Sequence, residues 1–496
     1  MLHKKAEPAS LTELWFLSYP LIITMAAQVI MQFADRMFLA WYSHEALAAC
    51  VPAGVLAMTF SSLFMGLASY TSVFISQFYA KKKYASVTVS LWQGVLLALL
   101  SSVLLAALTP VGVAIIHSFG HAEAVRALET KYFGLLNLFA GLTVINSALA
   151  SFFSGRGRTK VPMWASLAGN VINIGLDYVM IFGKLGFPQM GIIGAAWATI
   201  IGCASMTIIY CTLICAGKVR RDFKISRLAG FYKPVFTRLV RFGLPNGFGF
   251  LMDILSFTLF TFMVGSIDVL SLEANNIVMS MQPVVFMVIL GMGMGIQILA
   301  SKYQGLKRPD LTLKVLKNAC KLGYVYAGAV GVMFFFFAPF FVGLFIPAGA
   351  PNEAEIAAKT YPLMKLMSCF VLFDATYLIF GETLRGAGDT KFYMYVMLFC
   401  AWGLLIPGTW LIVYRLKLSV FWVWSWLTFY AALTAVLMVW RVWRARKGRH
   451  HRRRKGAGRI CKKCRRKINQ LCLGVSILSR DRPLPSYKTA VFSSAK

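Results

Sequence analysis

Long apolar runs, separated by short polar and charged segments, recur from residue 14 to residue 440. Uncharged stretches at 88–116, 132–155, 190–217, 274–301, 322–352, 392–414 and 418–440 each reach the ~20 residues that a helix needs to cross ~30 Å of hydrocarbon. Five further runs are less pure: 14–41, 161–182, 239–266 and 361–383 each carry an acid, and 47–76 is neutral but polar. The pattern predicts about twelve transmembrane helices. The fold class expected is therefore an all-α polytopic membrane protein. The first run is too long and too late for the apolar region of a signal peptide, so it is expected to stay as an anchor.

Composition agrees: 58% of the residues are hydrophobic and the mean hydropathy is +0.67, outside the range of ordinary soluble domains. Charge then orients the chain. Lys81, Lys82 and Lys83, then Arg156, Arg158 and Lys160, then the segments 218–241, 302–317 and 385–391 put basic residues in every second loop. The loops between them are acidic or near neutral, around Glu45, Glu123, Glu129, Asp268, Glu273, Glu353 and Glu355. This alternation is the positive-inside bias and predicts that both termini are cytoplasmic. Gln77 and Lys302, at equivalent helix ends, are expected at a solvated boundary where lysine can snorkel.

The segment 444–496 holds 18 Lys or Arg against one acid, Asp481, and so carries +17 of the formal +33. Lacking hydrophobic periodicity, it is expected to be disordered and held by anionic lipid headgroups. That partner suffices for the charge, so no nucleic acid is expected. Of the ten Cys, seven fall in the hydrophobic region and three in this tail. Cys461-x-x-Cys464 has half the spacing of a zinc site with no second pair to complete it, which predicts a reduced, metal-free motif.

Laying the second half over the first at an offset of 225 aligns Pro20 with Pro245, Leu47 with Leu272, Ala49 with Ala274, Gly66 with Gly291 and Ser76 with Ser301. At an offset of 231, Gly155-Arg156-Gly157-x-Thr159-Lys160 aligns with Gly386-Ala387-Gly388-x-Thr390-Lys391. Six spans per repeat is an even number, so the repeats are parallel, related by an axis along the membrane normal. Two facing bundles leave a cleft between them, and rocking one against the other gives alternating access. Transport follows from this more naturally than catalysis.

A carboxylate in the bilayer interior costs ~2.5–3.5 kcal/mol even on an insertion scale, so one that persists needs a partner or a wet cavity. Four such acids stand out. Asp253 lies eight residues past Pro245, ~12 Å along a helix at 1.5 Å per residue. Asp374 is flanked on both sides by apolar sequence. Either could exchange protons or hold a hard cation such as Na⁺. Asp35 is followed by Arg36, so an interfacial ion pair competes with a coupling role. Asn170, Asn173 and Asp177 share one helical face, which fits either helix–helix hydrogen bonding or an ion or proton site. Glu382, beside Arg385 near a helix end, is expected to be structural. The 23 Met and 39 Phe could line an adaptable hydrophobic pocket. There is no G-x-x-x-x-G-K-[ST], H-E-x-x-H or G-x-S-x-G sequence, which argues against direct ATP coupling by a P-loop and weakens the reading as a membrane enzyme.

The stretch Ser154-Gly155-Arg156-Gly157-Arg158-Thr159-Lys160-Val161-Pro162-Met163, continuing through Asn170, Asn173 and Asp177 to Gly194-Ala195-Ala196-Trp197-Ala198-Thr199, resembles the fourth to sixth helices of multidrug and toxic compound extrusion (MATE) transporters. So do Gly243-Leu244-Pro245 and Leu384-Arg385-Gly386-x-Gly388-Asp389-Thr390. The resemblance covers about 11–443 and implies that Asp35 is the first-helix coupling acid, that Asn173 and Asp177 join it in one network, and that Asp253 and Asp374 are the seventh- and tenth-helix acids. Asp35, Asp253 and Asp374 together resemble Na⁺-coupled members and would supply Na⁺ ligands; Asp35, Asn173 and Asp177 resemble proton-coupled ones. The sequence 420–424 departs from the family's Gly-rich twelfth helix, and the tail has no counterpart.

The expected organisation is an N-terminal lobe at 1–217, a cytoplasmic linker at 218–238, a C-terminal lobe at 239–443 and a basic tail at 444–496. The expected activity is antiport: export of organic, cationic or lipophilic compounds in exchange for Na⁺ or H⁺, in the inner membrane, by a monomer without an organic cofactor. The competing readings are a flippase for lipid-linked oligosaccharides, which would favour cations in its cavity, and a membrane-embedded enzyme or channel.

Overall fold

Each apolar run becomes a helix whose ends are marked by identifiable chemistry. The computed structural model describes residues 7–118, 120–227, 230–345 and 353–455. In it, twelve helices are long and apolar enough to cross a membrane: α1 Leu11–Tyr42, α2 His44–Ala80, α3 Tyr84–Ala107, α4 Glu123–Ser154, α5 Lys160–Phe182, α6 Ile192–Cys215, α7 Lys233–Gly265, α8 Val269–Gly305, α9 Pro309–Phe336, α10 Glu353–Gly386, α11 Thr390–Arg415 and α12, which begins at Val420. No strand occurs among the described residues.

The side chains of Ser10, Ser43 and Asp268 accept hydrogen bonds from the first turns of α1, α2 and α8, satisfying donors that a helix leaves free. Gly183 ends α5 at φ +64°, a left-handed cap that costs glycine nothing. Pro20, Pro52, Pro245, Pro283 and Pro362 lie inside helices, where each removes one backbone hydrogen bond.

Four runs that hydropathy reads as single spans are divided: 47–76 at Tyr70 and 132–155 at Ala140, where the helix resumes at once, and two more that end in short helices. The 88–116 run breaks at Leu108 and resumes as the short helix Thr109–Ser118. The 322–352 run belongs to a helix that starts earlier, at Pro309, and ends at Phe336 before a second short helix, Ala338–Gly343. Pro110 and Pro339 sit in the first turns of the two short helices and cannot continue the preceding ones. The break recurs at the same place in each half. In α11, π-helical turns occupy Leu398–Leu405 and Leu411–Arg415.

The two six-helix lobes meet through the helices that the repeat makes equivalent: α1 packs on α8, and α7 packs on α2. The crossings are tight because small residues occupy them. A Cβ on Gly66 would come within 2.6 Å of the Gly247 Cα, and one on Gly291 within 2.7 Å of the Ile22 Cα. Gly66 and Gly291 are equivalents at the 225-residue offset, as are Ile22 and Gly247, so one contact is used twice.

Polar contacts between the lobes gather at the face where α1 begins. Glu13 accepts from Lys302 Nζ at 2.6 Å and from the Tyr303 hydroxyl, which in turn accepts from the Ala9 N–H at 2.8 Å. Ser76 Oγ donates to the Ile298 carbonyl at 2.9 Å, and Asn318 Nδ2 to the Ala9 carbonyl at 2.8 Å. Gln77 is buried at 5% exposure, with the Gly305 backbone packed on its own. The solvated boundary expected for Gln77 is thus corrected, its helix end being drawn into the seam between the lobes, whereas the Lys302 side chain stays 39% exposed while it pairs with Glu13.

The linker is fastened to α3. Thr88 Oγ1 donates to the Phe223 carbonyl at 2.6 Å, Trp92 Nε1 to the Ile225 carbonyl at 2.9 Å, and Gln93 Nε2 to the Gly230 carbonyl at 2.7 Å. The ring of Phe223 packs on Tyr79 and Tyr84, and the Arg156 guanidinium lies over the Phe152 and Phe223 rings. The compact unit formed by the helices ends at Trp443. The α12 helix runs on to Lys455, so the first residues of the tail expected to be disordered are helical. Cys461 and Cys464 lie outside the described residues.

Candidate ion-coupling sites

The five site residues read from the sequence fall into two groups, one per lobe. In the N-terminal lobe, Asp35 on α1 faces Asn173 and Asp177 on α5. Asn173 and Asp177 are four residues apart and so lie one above the other on the same helical face. Both are buried, Asp177 at 0% exposure and Asp35 at 8%. With its nitrogen turned to the carboxylate, the Asn173 amide donates to Asp35 Oδ1 at 3.2 Å and accepts from the Thr199 backbone N–H of α6 at 3.1 Å. The Asp35 and Asp177 carboxyls are within hydrogen-bonding reach of each other, and such a bond needs a proton on one of them. The Asn173–Asp35 bond shows that the polar face of α5 does join helices. The Asn170 Nδ2 and Asp177 Oδ1 atoms are buried without a hydrogen-bond partner among the described residues, so the network has unused capacity.

The ion pair considered for Asp35 and Arg36 does not form among the described residues; Arg36 points to the exterior while Asp35 points in. Near the acids, Cys50 Sγ meets the Tyr132 hydroxyl at 3.7 Å, and both groups lie within electrostatic reach of Asp35 and Asp177.

In the C-terminal lobe, Asp253 on α7 and Asp374 on α10 lie within electrostatic reach of each other and are half-buried. Asp374 borders a shallow cleft between α8 and α10, lined also by Gln282, Phe286, Met367 and Phe370. Tyrosines complete the surroundings: Tyr377 Oη and Tyr393 Oη are 2.6 Å apart, and Tyr430 of α12 is within reach of both acids. Phenolic oxygens can join carboxylates in holding a hard cation.

Asp35 does not join Asp253 and Asp374: among the described residues no three carboxylate, His or Cys side chains cluster as a metal site. A cation at either group would therefore take some of its ligands from tyrosine, amide or backbone oxygens.

Sequence reading missed the three tyrosines and Arg385. Aromatic residues in membrane helices carry no signal that separates a site from packing. Arg385 looked like a helix-end residue, yet it is buried at 9% exposure and ion-paired with Glu382, itself at 3%.

Residues 20–179 and 245–411 each match the MatE family model. The chain belongs to the MatE family. The two MatE matches begin at Pro20 and Pro245, the first pair aligned by the internal repeat. As a MatE member the chain is a transporter and not an enzyme, and it is a multi-pass membrane protein. It is 26% identical over 441 residues to a probable multidrug resistance protein NorM of Rhizobium meliloti, covering 86% of this chain and 92% of that one. It is 25% identical to a probable multidrug resistance protein NorM of Thermotoga maritima, covering 85% and 90%. Among solved structures, a MOP superfamily transporter from Pyrococcus furiosus superposes with a TM-score of 0.79 at 20% identity, over 88% of this chain and 96% of that one. A multidrug resistance MATE family transporter in an outward-facing conformation gives 0.78 at 20% identity, over 88% and 96%. These likenesses carry the fold: two six-helix lobes.

Proposed function

We propose that this MatE transporter is a secondary antiporter of the inner membrane that exports organic, cationic or lipophilic compounds in exchange for Na⁺ or H⁺. The observation that carries the reading is the placement of one acid group in each lobe, inside membrane-spanning helices, with the lobes fastened together at one face. Positive-inside charge makes that face cytoplasmic. On this reading the conformation is the one closed to the cytoplasm. A coupling cation moves the lobes only as far as it binds the two conformations with different affinity, and buried carboxylates are where that difference can be generated. The multidrug resistance names of the relatives support an organic substrate.

A growth test checks the proposal. In a host lacking its own efflux pumps, expression is expected to raise the tolerated concentration of at least some cationic dyes or antibiotics, and Asp35→Asn or Asp253→Asn to remove that gain. Sensitivity equal to the empty host, with the protein present in the membrane, would count against it.

A further inference from the structure

The exposed residues of α1 beyond its first half fall on two opposite faces. Ile23, Ile30 and Trp41 are exposed at 37%, 61% and 65% and, at about 100° per residue, point within ~20° of one another. That apolar face suits lipid. Gln28, Gln32 and Arg36 are exposed as well, and their spacing of four puts them together on the far side of the helix. None of the three makes a hydrogen bond or ion pair among the described residues. Gln28 lies about 26 Å along a helix of 32 residues, near the middle of the bilayer, where polar side chains belong against protein or water.

The crossing below the stripe fixes its direction. In its first half α1 meets α8, with Gly295 packed on Ser18 and Gly291 on Ile22. Arg36 comes eighteen residues after Ser18, about five full turns, so it points the same way, further out and toward the C-terminal lobe. At that level the partners of α1 are in its own lobe: Asp35 bonds to Asn173, and Phe38 packs on Tyr178 and Phe182, all of α5. The stripe therefore faces the space between the lobes. Asp253 is the counterpart of Gln28 at the 225-residue offset and holds the same place on α7. One wall of the interlobe space thus carries a guanidinium and two amides, and the other carries carboxylates.

We propose that Arg36 is a substrate-recognition residue and that the substrates are zwitterions, organic compounds bearing a carboxylate besides a positive charge. The inference narrows the antiport reading above and rests on it. A guanidinium presents a planar fork of donors that matches a carboxylate bidentately. Between the walls both ends of such a compound find opposite partners: the positive end is drawn to Asp253 and Asp374, the carboxylate to Arg36. Gln28 and Gln32 offer donors and acceptors beside it. A compound with positive charge alone is repelled by Arg36, and one with negative charge alone by the acids.

A cationic rhodamine with a free carboxylate and its methyl ester form a matched pair of probes. Their affinities for the full-length protein in nanodiscs, read by fluorescence polarisation at one pH and without Na⁺, give the ratio that tests the assignment. The wild type is expected to bind the acid roughly tenfold tighter than the ester, the effect of one charge-assisted pair. Arg36→Gln is expected to lose that preference, and Arg36→Lys, which keeps the charge without the fork, to retain part of it. A wild type that binds the acid no tighter than the ester overturns the proposal. So does an Arg36→Gln ratio equal to that of the wild type, the result for an arginine that only reaches for the outer headgroups. Parallel vesicles keep the two readings apart: no cation-driven export of either dye sinks antiport itself, whereas driven export with an unchanged Arg36→Gln ratio sinks only the role of Arg36.

Discussion

Asp374→Asn is expected to stop gradient-driven efflux, bringing the rate in proteoliposomes down to that of protein-free vesicles, a loss of roughly a hundredfold or more. Asparagine keeps the size of the side chain and one acceptor, so the small cleft beside Gln282, Phe286 and Phe370 should persist and the fold with it. What vanishes is the charge. A neutral amide neither takes up a proton nor balances a cation, and without differential cation affinity nothing biases the lobes. Asp374→Glu restores the charge one methylene further out and is expected to recover part of the rate. Initial rates of dye efflux at matched protein content check both variants; wild-type rates in Asp374→Asn would remove the C-terminal acids from the mechanism.

The second large effect is expected in the N-terminal lobe, as a failure of additivity. Asp35 and Asp177 share one buried site with Asn173, so they should act as a unit. Asp35→Asn and Asp177→Asn are each expected to lower driven efflux about tenfold or more, and the double variant to be no slower than the worse single one, as is common for groups that work together. Efflux rates of the three variants complete the cycle. Losses that multiply would mean that the two carboxyls do separate jobs.

The acids were legible in the sequence because a charge in hydrocarbon is too costly to be incidental. Asp253 and Asp374 stood out on that ground alone. The partnership of Asp35 with Asn173 and Asp177 needed more: the helical spacing placed Asn173 and Asp177 on one face, but only the family resemblance brought α1 to that face. The repeat made Gly66 and Gly291 visible, yet their meaning, a doubled crossing of α2 on α7 and α1 on α8, depends on packing that no linear pattern encodes. Averaging hydropathy over a window hid the breaks at Pro110 and Pro339, although each proline was in plain view. Arg385 was misplaced for a related reason. Nearness to a helix end suggests water, but here the opposite lobe covers that end, and Tyr70 and Asn246 close over it.

In the proposed antiport, the relation between the two acid groups sets the logic of transport. They lie in different lobes and do not share a site, so a cation bound to one changes the charge of that lobe alone. In the proposed antiport, the seam where α1 begins, with Glu13 gripping Lys302 and Tyr303, is the element with two positions, and the acids supply the bias. Such a division of labour needs no direct contact between substrate and cation.

Dye efflux from proteoliposomes, with Na⁺ and proton gradients imposed one at a time and no ATP present, tests the central claim most directly. The account predicts that at least one inward cation gradient accelerates export and that dissipating it with an ionophore returns the rate to baseline. Export that runs equally fast with neither gradient, or no export under any gradient from correctly inserted protein, would contradict it.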